Sequence, residues 1–172
     1  MGILQRLFGT DQRKAMRPLY DAVIAEARQP QWFREGAVPD TLDGRFDMMA
    51  MVMALLLGRM HREGDKARDE SVALTELFIT DMDGQLRESG IGDLVVGKHI
   101  GKMMGALGGR LAAYQQGLAP GGDLEDALLR NLYRGIDPGK DHLQWSAAAM
   151  RRLADGIDAV PLEALRIGRL SA

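Results

Sequence analysis

Apolar residues recur along most of the chain every three or four positions, which is the period of one face of a helix. The pattern predicts a first long helix from about Arg13 to Arg28, where Pro30 ends it because proline cannot continue the hydrogen-bond ladder. Further helices are predicted over about 40–63, 69–88, 94–118, 123–133, 142–157 and 162–167. No stretch alternates apolar and polar residues as a strand does. We therefore expect an all-α fold, a single compact bundle of about six to seven helices without a sheet.

The predicted helix that begins near Asp40 is apolar on nearly every side. From Phe46 to Leu57 only Asp47 is polar, and a helix that is apolar all round is usually buried at the centre of a domain. Filling of an irregular core is the interpretation that we favour for its methionines, and a pliable groove for hydrophobic ligands is the alternative. Of the 11 methionines in the chain, this helix contains Met48, Met49, Met51, Met53 and Met60.

A ridge of small residues lies on one face of the predicted helix over 94–118. Gly97, Gly101 and Gly105 recur at every fourth position, and we call these three residues the glycine ridge. A glycine inside a helix costs about 1 kcal/mol relative to alanine, so the ridge indicates that another backbone comes close to this face. Small residues allow such packing between membrane helices. Lysines and an arginine in the same helix exclude a spanning segment, so we expect the neighbour to be a soluble helix.

The beginning of the chain forms a short amphipathic segment, with apolar residues on one side of a predicted helix and basic residues on it or just after it. Such a segment can rest on an anionic membrane or dock on a partner. The alternative is a frayed terminus whose apolar side touches the core. We separate residues 1–12, the amphipathic segment, from 13–172, the helical domain. The expected membrane contacts are Ile3, Leu4, Arg6, Leu7 and Phe8.

Composition narrows the class of protein. A chain of 172 residues fits one domain, and its formal net charge of −2 gives no overall attraction for DNA or RNA. The chain contains no cysteine, which excludes disulfides, thiolate nucleophiles and cysteine-ligated zinc. Its longest uncharged apolar run, from Met48 to Gly58, is about half of the ~20 residues that span a bilayer. With no secretion signal visible, we expect a cytoplasmic protein that contacts at most the inner face of the cell membrane.

No catalytic or metal-binding group of residues stands out. His61, His99 and His142 have no second histidine or carboxylate at a recognised metal-binding spacing. The acidic stretch 81–84 lacks the later ligands of a calcium loop. The glycine-rich stretch 105–109 follows no strand and lacks the lysine of a phosphate loop. We therefore predict a binding protein that is not an enzyme and that has no metal or cofactor.

Two stretches resemble a known family. The first, VPDTLDGRFDM, runs from Val38 to Met48, and the second, DMDGQLRESGIGDLVVGK, runs from Asp81 to Lys98. Together they resemble the ubiquinol-cytochrome c chaperone family, the mitochondrial assembly factors for cytochrome b and their alphaproteobacterial relatives. The resemblance covers residues 15–118 in the right order and leaves the last third without a match. The absence of a mitochondrial presequence suits a bacterial member.

The resemblance implies an all-helical chaperone that receives newly made cytochrome b and helps to assemble the cytochrome bc complex. Other hydrophobic membrane proteins are further candidate clients. In mitochondria the family member works with a small partner subunit near the ribosomal exit tunnel, so proximity to the ribosome is also implied. Two alternatives remain: a helical module that binds a lipid or a quinone-like small molecule, and a purely structural subunit of the finished complex.

The resemblance also marks candidate positions for binding a client or a partner, to which we add the glycine ridge, Gly97, Gly101 and Gly105. The charged members of the set have an alternative role as a structural network of ion pairs. The positions within the two stretches are Asp43, Arg45, Phe46, Asp47, Asp81, Asp83, Arg87, Asp93 and Lys98.

Overall fold

The computed structural model describes residues 3–88 and 93–171, and it describes the backbone alone for residues 3–10, 86 and 93–96. These residues contain helices and no strand, so the predicted all-α class is confirmed. Six of the described helices have at least eight residues, and the other two have only five residues each. The helices are α1 (Ile3–Ala27), α2 (Pro30–Arg34), α3 (Leu42–Glu63), α4 (Arg68–Glu88), α5 (Asp93–Leu118), α6 (Leu124–Asn131), α7 (Lys140–Ala159) and α8 (Leu162–Arg166).

Helix α3 is the centre of the fold. Every residue from Asp47 to Gly58 is buried, because α1, α4, α5 and α7 all pack against this helix. Its methionines expose at most 6% of their surface, so they fill the core, as the sequence pattern favours. A 3₁₀ turn, Gly64–Ala67, then joins α3 to α4.

Helix α1 begins earlier than the hydrophobic pattern predicts. It runs without a break from Ile3 to Ala27 and contains Pro18, which is exposed. The buried side of its second half packs against α4 and α3 through Leu19, Tyr20 and Val23. The side chains predicted to contact a membrane lie outside the described residues, so the division between residues 1–12 and 13–172 stays a prediction.

The start of α3 depends on a threonine and a glycine. Thr41 caps the helix, because its hydroxyl oxygen accepts a hydrogen bond from the Gly44 backbone N–H at 3.1 Å. A Cβ atom on Gly44 would lie only 1.9 Å from the Pro39 carbonyl oxygen, so no other residue fits this turn. The turn directs the first residues of α3 toward the side of the bundle where α4 and α5 meet.

The last third of the chain is tied to the first by buried polar contacts. The Tyr133 hydroxyl donates to the Gly36 carbonyl oxygen at 2.5 Å and lies 2.7 Å from the Ser146 hydroxyl. Trp32 packs edge-to-face on Trp145, with ring centroids 5.5 Å apart. Helices α6 and α7 are therefore part of the same core as α3. None of the helices, as far as the chain is described, is both long and apolar enough to cross a membrane.

Candidate binding cleft

A cleft of about 370 Å³ opens between the first turns of α3, the second half of α4 and the outer side of α5. One wall is apolar and consists of Leu42, Phe46, Met82, Met103 and Ala106. The polar lining consists of Asp43, Gln85, His99, Lys102, Arg110 and Arg134. We call this feature the α3–α5 cleft. It combines an open apolar surface with several hydrogen-bond donors.

A group of four charged residues lies beneath and beside the cleft. The Asp47 carboxylate is almost fully buried, with the Arg110 Nη2 atom 2.5 Å from one oxygen and the Arg134 Nε atom 2.6 Å from the other. Arg134 also donates to the Asp43 carboxylate at 2.7 Å. We call Asp43, Asp47, Arg110 and Arg134 the Asp47 centre. Its two acidic and two basic groups balance in charge, so it is a fixed part of the cleft wall.

Burial dominates the electrostatics of the centre. Loss of water raises the pKa of the Asp47 carboxyl above its usual value, although the hydrogen bond from Arg134 and the charge of Arg110 pull it down. The hydrogen bond to Asp47 raises the pKa of Arg134. Arg134 also has a left-handed backbone, with φ at 54°, which is uncommon outside glycine.

Arg110 connects the charged centre to the apolar wall. Its guanidinium carbon lies 5.6 Å from the centre of the Phe46 ring, in the range of a cation–π interaction. One nitrogen donates to the Ala106 carbonyl oxygen at 3.3 Å. The Nε atom is buried and has no hydrogen-bond partner among the described residues. Arg110 therefore stiffens the wall of the cleft and keeps one donor unused.

The structure brings together some of the candidate positions and separates others. Asp43, Phe46 and Asp47, from the first of the two stretches, are at the α3–α5 cleft, and Met82 from the second stretch lies opposite them. The remaining charged candidates make local contacts or lie on the surface. Their ion pairs support the structural alternative for this part of the set.

These outlying candidates each have a simple local role. Arg45 pairs with Asp40 at 2.7 Å on the surface, which lowers the pKa of Asp40. Asp83 pairs with Arg87, also at 2.7 Å. Lys98 is exposed and does not line the cleft, and the side chain of Asp93 lies outside the described residues.

Asp81 has a different role, because it links two helices. It accepts a hydrogen bond from the Tyr20 hydroxyl at 2.8 Å, which joins α4 to α1. Burial, followed by this hydrogen bond, raises the pKa of the Tyr20 phenol. Asp81 therefore stabilises the packing of α1 on α4 and does not face the cleft.

The glycine ridge is exposed and open. A Cβ atom added to Gly97, Gly101 or Gly105 would meet no atom within 4 Å. The neighbouring helix expected from the sequence is therefore not found among the described residues. The helix period places the ridge about half a turn from His99 and Met103, on the side of α5 away from the cleft.

The sequence pattern did not reveal the two arginines of the Asp47 centre. Arg110 and Arg134 are 63 and 87 residues from Asp47, so no local spacing connects them. One signal for Arg110 was available, since it stands beside Leu107, Leu111 and Tyr114 in the apolar stripe of α5. A charged residue inside such a stripe needs a buried partner of opposite charge.

A second, wider cleft of about 550 Å³ lies between α3, α5 and α7. Its floor is formed by small residues such as Ala54 and Gly58, and charged residues surround it. Two of these, Arg62 and Asp158, pair with each other. Neither of the two family-like stretches contributes a described residue to its lining, so the α3–α5 cleft is the stronger candidate site.

The fold and the site define an all-helical binding protein, with an apolar cleft built where three helices meet and an ion cluster that holds one wall. No group of histidine and acidic side chains in the described part of the chain could hold a metal ion. The cleft has the size of many ligand sites, and its open shape also suits part of a polypeptide.

Comparison with known proteins assigns this all-helical protein to a family. The sequence model described as ubiquinol-cytochrome C chaperone matches residues 34–172, and the chain belongs to that family. The crystal structure of the Cbp3 homolog from Brucella abortus is similar, with 30% sequence identity and a TM-score of 0.80 over 99% of this chain and 96% of that one. No curated protein sequence matches the chain. Membership of a chaperone family confirms the predicted resemblance and the prediction that the protein is not an enzyme.

Proposed function

We propose that the protein binds newly made cytochrome b and assists the assembly of the cytochrome bc complex, and that the α3–α5 cleft receives an apolar segment of this client. The observation that carries the proposal is the meeting of the two family-like stretches. They are separated in sequence by most of α3 and α4, yet Leu42, Asp43 and Phe46 face Met82 and Gln85 across one cleft. The matched region, residues 34–172, contains every residue of this lining.

The chemistry of the wall suits transient shielding. A membrane segment that has left the ribosome and has not yet reached the bilayer exposes apolar side chains to water, which is unfavourable. Phe46 and Met103 offer a partly buried apolar surface next to the buried Met82, and methionine adapts its shape to different partners. Leu42 extends this surface, since 63% of it is exposed at the rim. An open cleft also permits release.

The amphipathic segment completes the proposal. Residues 1–12 would hold the chaperone on the inner face of the cell membrane, close to where its client is inserted. The α1 helix, which begins at Ile3, packs on α4 and α3, two of the three helices that build the cleft. Work close to the ribosome is a further prediction from the family resemblance.

Photo-crosslinking from single positions tests the site. The protein carries benzoylphenylalanine at Leu42 or Met103 in the cleft, or at Val72 or Ile167, which are exposed apolar positions elsewhere. Cytochrome b is then translated in its presence. We expect crosslinks to cytochrome b from the two cleft positions and much weaker crosslinks from the two controls. Crosslinks from the controls alone would place the client elsewhere, and no crosslink from any position would contradict cytochrome b as the client.

One observation favours the small-molecule alternative. The volume of the cleft, about 370 Å³, lies within the usual range for small-molecule sites, and polar groups converge on it. In that case the purified protein would retain a lipid or quinone that organic extraction and mass spectrometry can detect. Replacing Met103 with a bulky tryptophan would then reduce the amount retained. If it retains no such molecule, only the client-binding function is left for the cleft.

A further inference from the structure

We infer that the α3–α5 cleft selects apolar segments that contain an acidic side chain, and that Lys102 holds the carboxylate, with His99 one turn earlier on the same side of α5. The inference rests on the proposed function, because it specifies which client segment the cleft receives. The observations that carry it are the distribution of charge in the lining and the apolar wall of the same cleft.

The charges of the lining do not balance. Within the Asp47 centre, two carboxylates meet two guanidinium groups, so these four residues leave no net charge. Lys102 is the further charged residue of the lining, and it makes no ion pair or hydrogen bond within the described residues. His99, one turn earlier on the same side of α5, adds another polar group without a described partner. Counted over the lining residues that the structure describes, the cleft therefore presents one uncompensated positive charge.

Arg110 is already held by groups of the protein. Only 8% of this residue is exposed, its guanidinium pairs with Asp47, and its Nε atom is buried. Arg110 also lies about two turns of α5 away from Lys102, so one carboxylate would not reach both groups. Lys102 is therefore the cation that an acidic ligand meets in the cleft, whereas a cationic ligand would be repelled there.

The apolar wall decides between a free anion and an acidic side chain on an apolar segment. Phe46, Met82, Met103 and Ala106 all line the cleft, and a small hydrated anion would leave them uncovered. An ionised residue within a membrane segment is costly to bury in a bilayer and is usually functional. Before insertion, such a segment needs both apolar contacts and a cation, and the cleft offers both.

Two synthetic peptides test the selection. Each is a leucine- and alanine-rich helix with serine-rich ends, and the pair differs only in a central Glu or Gln. Binding to the full-length protein is measured by isothermal titration calorimetry at neutral pH and low salt. We expect the Glu peptide to bind about five- to tenfold more tightly, a difference of about 1.0–1.4 kcal/mol. High salt should reduce the difference, because it screens partly exposed charges.

Two lysine variants separate a local effect from a general one. Lys102→Gln should bind both peptides with the affinity that the Gln peptide shows for the unaltered protein. Lys66→Gln makes the same change of net charge in the exposed 3₁₀ turn after α3, so it should keep the preference for Glu. Both substitutions are at exposed positions, so neither should affect folding.

The outcomes distinguish this inference from the proposed function. Equal binding of the two peptides, or loss of the preference in Lys66→Gln as well, would overturn the acidic selectivity. So would a failure of the Glu peptide to bind. The crosslinks from the cleft to cytochrome b are scored independently, so the proposed function can stand when the selectivity fails.

Discussion

Asp47 is the residue on which the candidate site depends most. It is a carboxyl group in the second turn of the most buried helix, and two arginines from distant parts of the chain surround it. Burial of an ion pair costs desolvation energy that the pairing must offset, so such a centre contributes less to stability than its short distances suggest. The raised pKa of Asp47 has the same cause. The centre gives the cleft a fixed geometry at little net gain in stability.

Replacing one arginine of the Asp47 centre should show how far ion pairing offsets the cost of burying the Asp47 carboxylate. Arg110→Met leaves the Asp47 carboxylate with Arg134 alone, and we expect a loss of about 3 kcal/mol near neutral pH. The pKa of Asp47, already raised, should rise further. A carboxyl group with a raised pKa in the folded state contributes most below its unfolded pKa, near 3.9, and this contribution is lost as the pH rises through the folded value.

Urea unfolding at about pH 5 and about pH 7 tests the direction of this pH dependence, because Arg110→Met should be less destabilised at the lower pH. The double variant Asp47→Leu/Arg110→Met should return close to the original stability, since it removes both charges. Asp21→Asn, which breaks the exposed pair with Arg17, should cost at most about 0.5 kcal/mol. A double variant as unstable as the single one would contradict this view of the centre.

The two buried tyrosines near this centre should respond oppositely to loss of their hydroxyl groups. The Tyr114 hydroxyl has no hydrogen-bond partner among the described residues, and burial raises the pKa of its phenol. Tyr114→Phe should therefore increase stability, by about 1 kcal/mol. Tyr133→Phe leaves the Gly36 carbonyl and the Ser146 hydroxyl without this partner and should cost about 1–3 kcal/mol. Thermal unfolding followed by circular dichroism measures both, and destabilisation by Tyr114→Phe would show that its hydroxyl does have a partner.

At the scale of single residues, the sequence could predict which side chains are buried and could not predict which charged groups pair with each other. The buried methionines of α3 follow from its uniform apolar pattern. The Asp47 centre does not, because its members come from α3, α5 and the loop after α6, and no spacing rule relates them. The residue that caps α3 could not be predicted either, because Thr41 and the preceding Asp40 are both of types that cap helices well. The Asp40 side chain instead pairs with Arg45.

Among the helices, α5 has three distinct sides. Its inner side, with Leu107 and Tyr114, packs in the core, and a second side lines the α3–α5 cleft. The third contains the glycine ridge, which faces open space. The period of the sequence was sufficient to predict the inner side and the ridge. It could not predict the cleft, because the second side of α5 becomes the wall of a cleft only where α3 and α4 approach it.

The open ridge gives a prediction for α5. Gly101→Ala and Gly105→Ala should each increase stability by about 0.5–1 kcal/mol, because alanine favours the helix and its Cβ atom meets nothing within 4 Å. Gly117→Ala is the control, since its Cβ would lie 3.0 Å from the Leu124 Cα atom and should destabilise the contact with α6. Urea unfolding measures all three. Destabilisation by the ridge variants would reveal a neighbour on this face.

The same variants also test whether the ridge takes part in client binding, as the sequence led us to expect. If a client or partner packs closely against it, the added methyl groups should lower the amount of assembled cytochrome bc complex in cells while the chaperone itself becomes more stable. Unchanged assembly would leave the α3–α5 cleft as the candidate surface on α5.

In the whole molecule, one long helix runs from the amphipathic segment to the contact with α4 and α3, two of the helices that build the cleft. The all-α class and most helix ranges were predictable because each helix buries a periodic stripe. The continuity of α1 from Ile3 was not, since glycine and polar residues interrupt its pattern near residue 10. Any attachment of residues 1–12 to a membrane therefore acts on a helix that packs directly on α4 and α3.

Vesicle flotation tests this attachment. The unaltered protein should float with vesicles that contain phosphatidylglycerol, and Leu4→Gln/Phe8→Gln should bind them at least about a hundredfold less well, because each apolar side chain contributes ~1.5–3 kcal/mol when buried. Val72→Gln/Ile136→Gln makes the same chemical change at exposed apolar positions elsewhere and should bind normally. Equal binding of both double variants would show that residues 1–12 do not contact the membrane.

The distance along the chain between Asp47 and Arg134 has a consequence for synthesis. Ribosomes add about 5–20 residues per second, so the 87 residues between them correspond to roughly 4–17 seconds. During that time the growing chain has made its most apolar helix and lacks the arginine that completes the Asp47 centre. Both family-like stretches are synthesised before Arg134 is added, so the chaperone itself remains an exposed, unfinished chain during this interval. The last third of the sequence, which carries neither of these stretches, determines when the protein becomes able to protect another one.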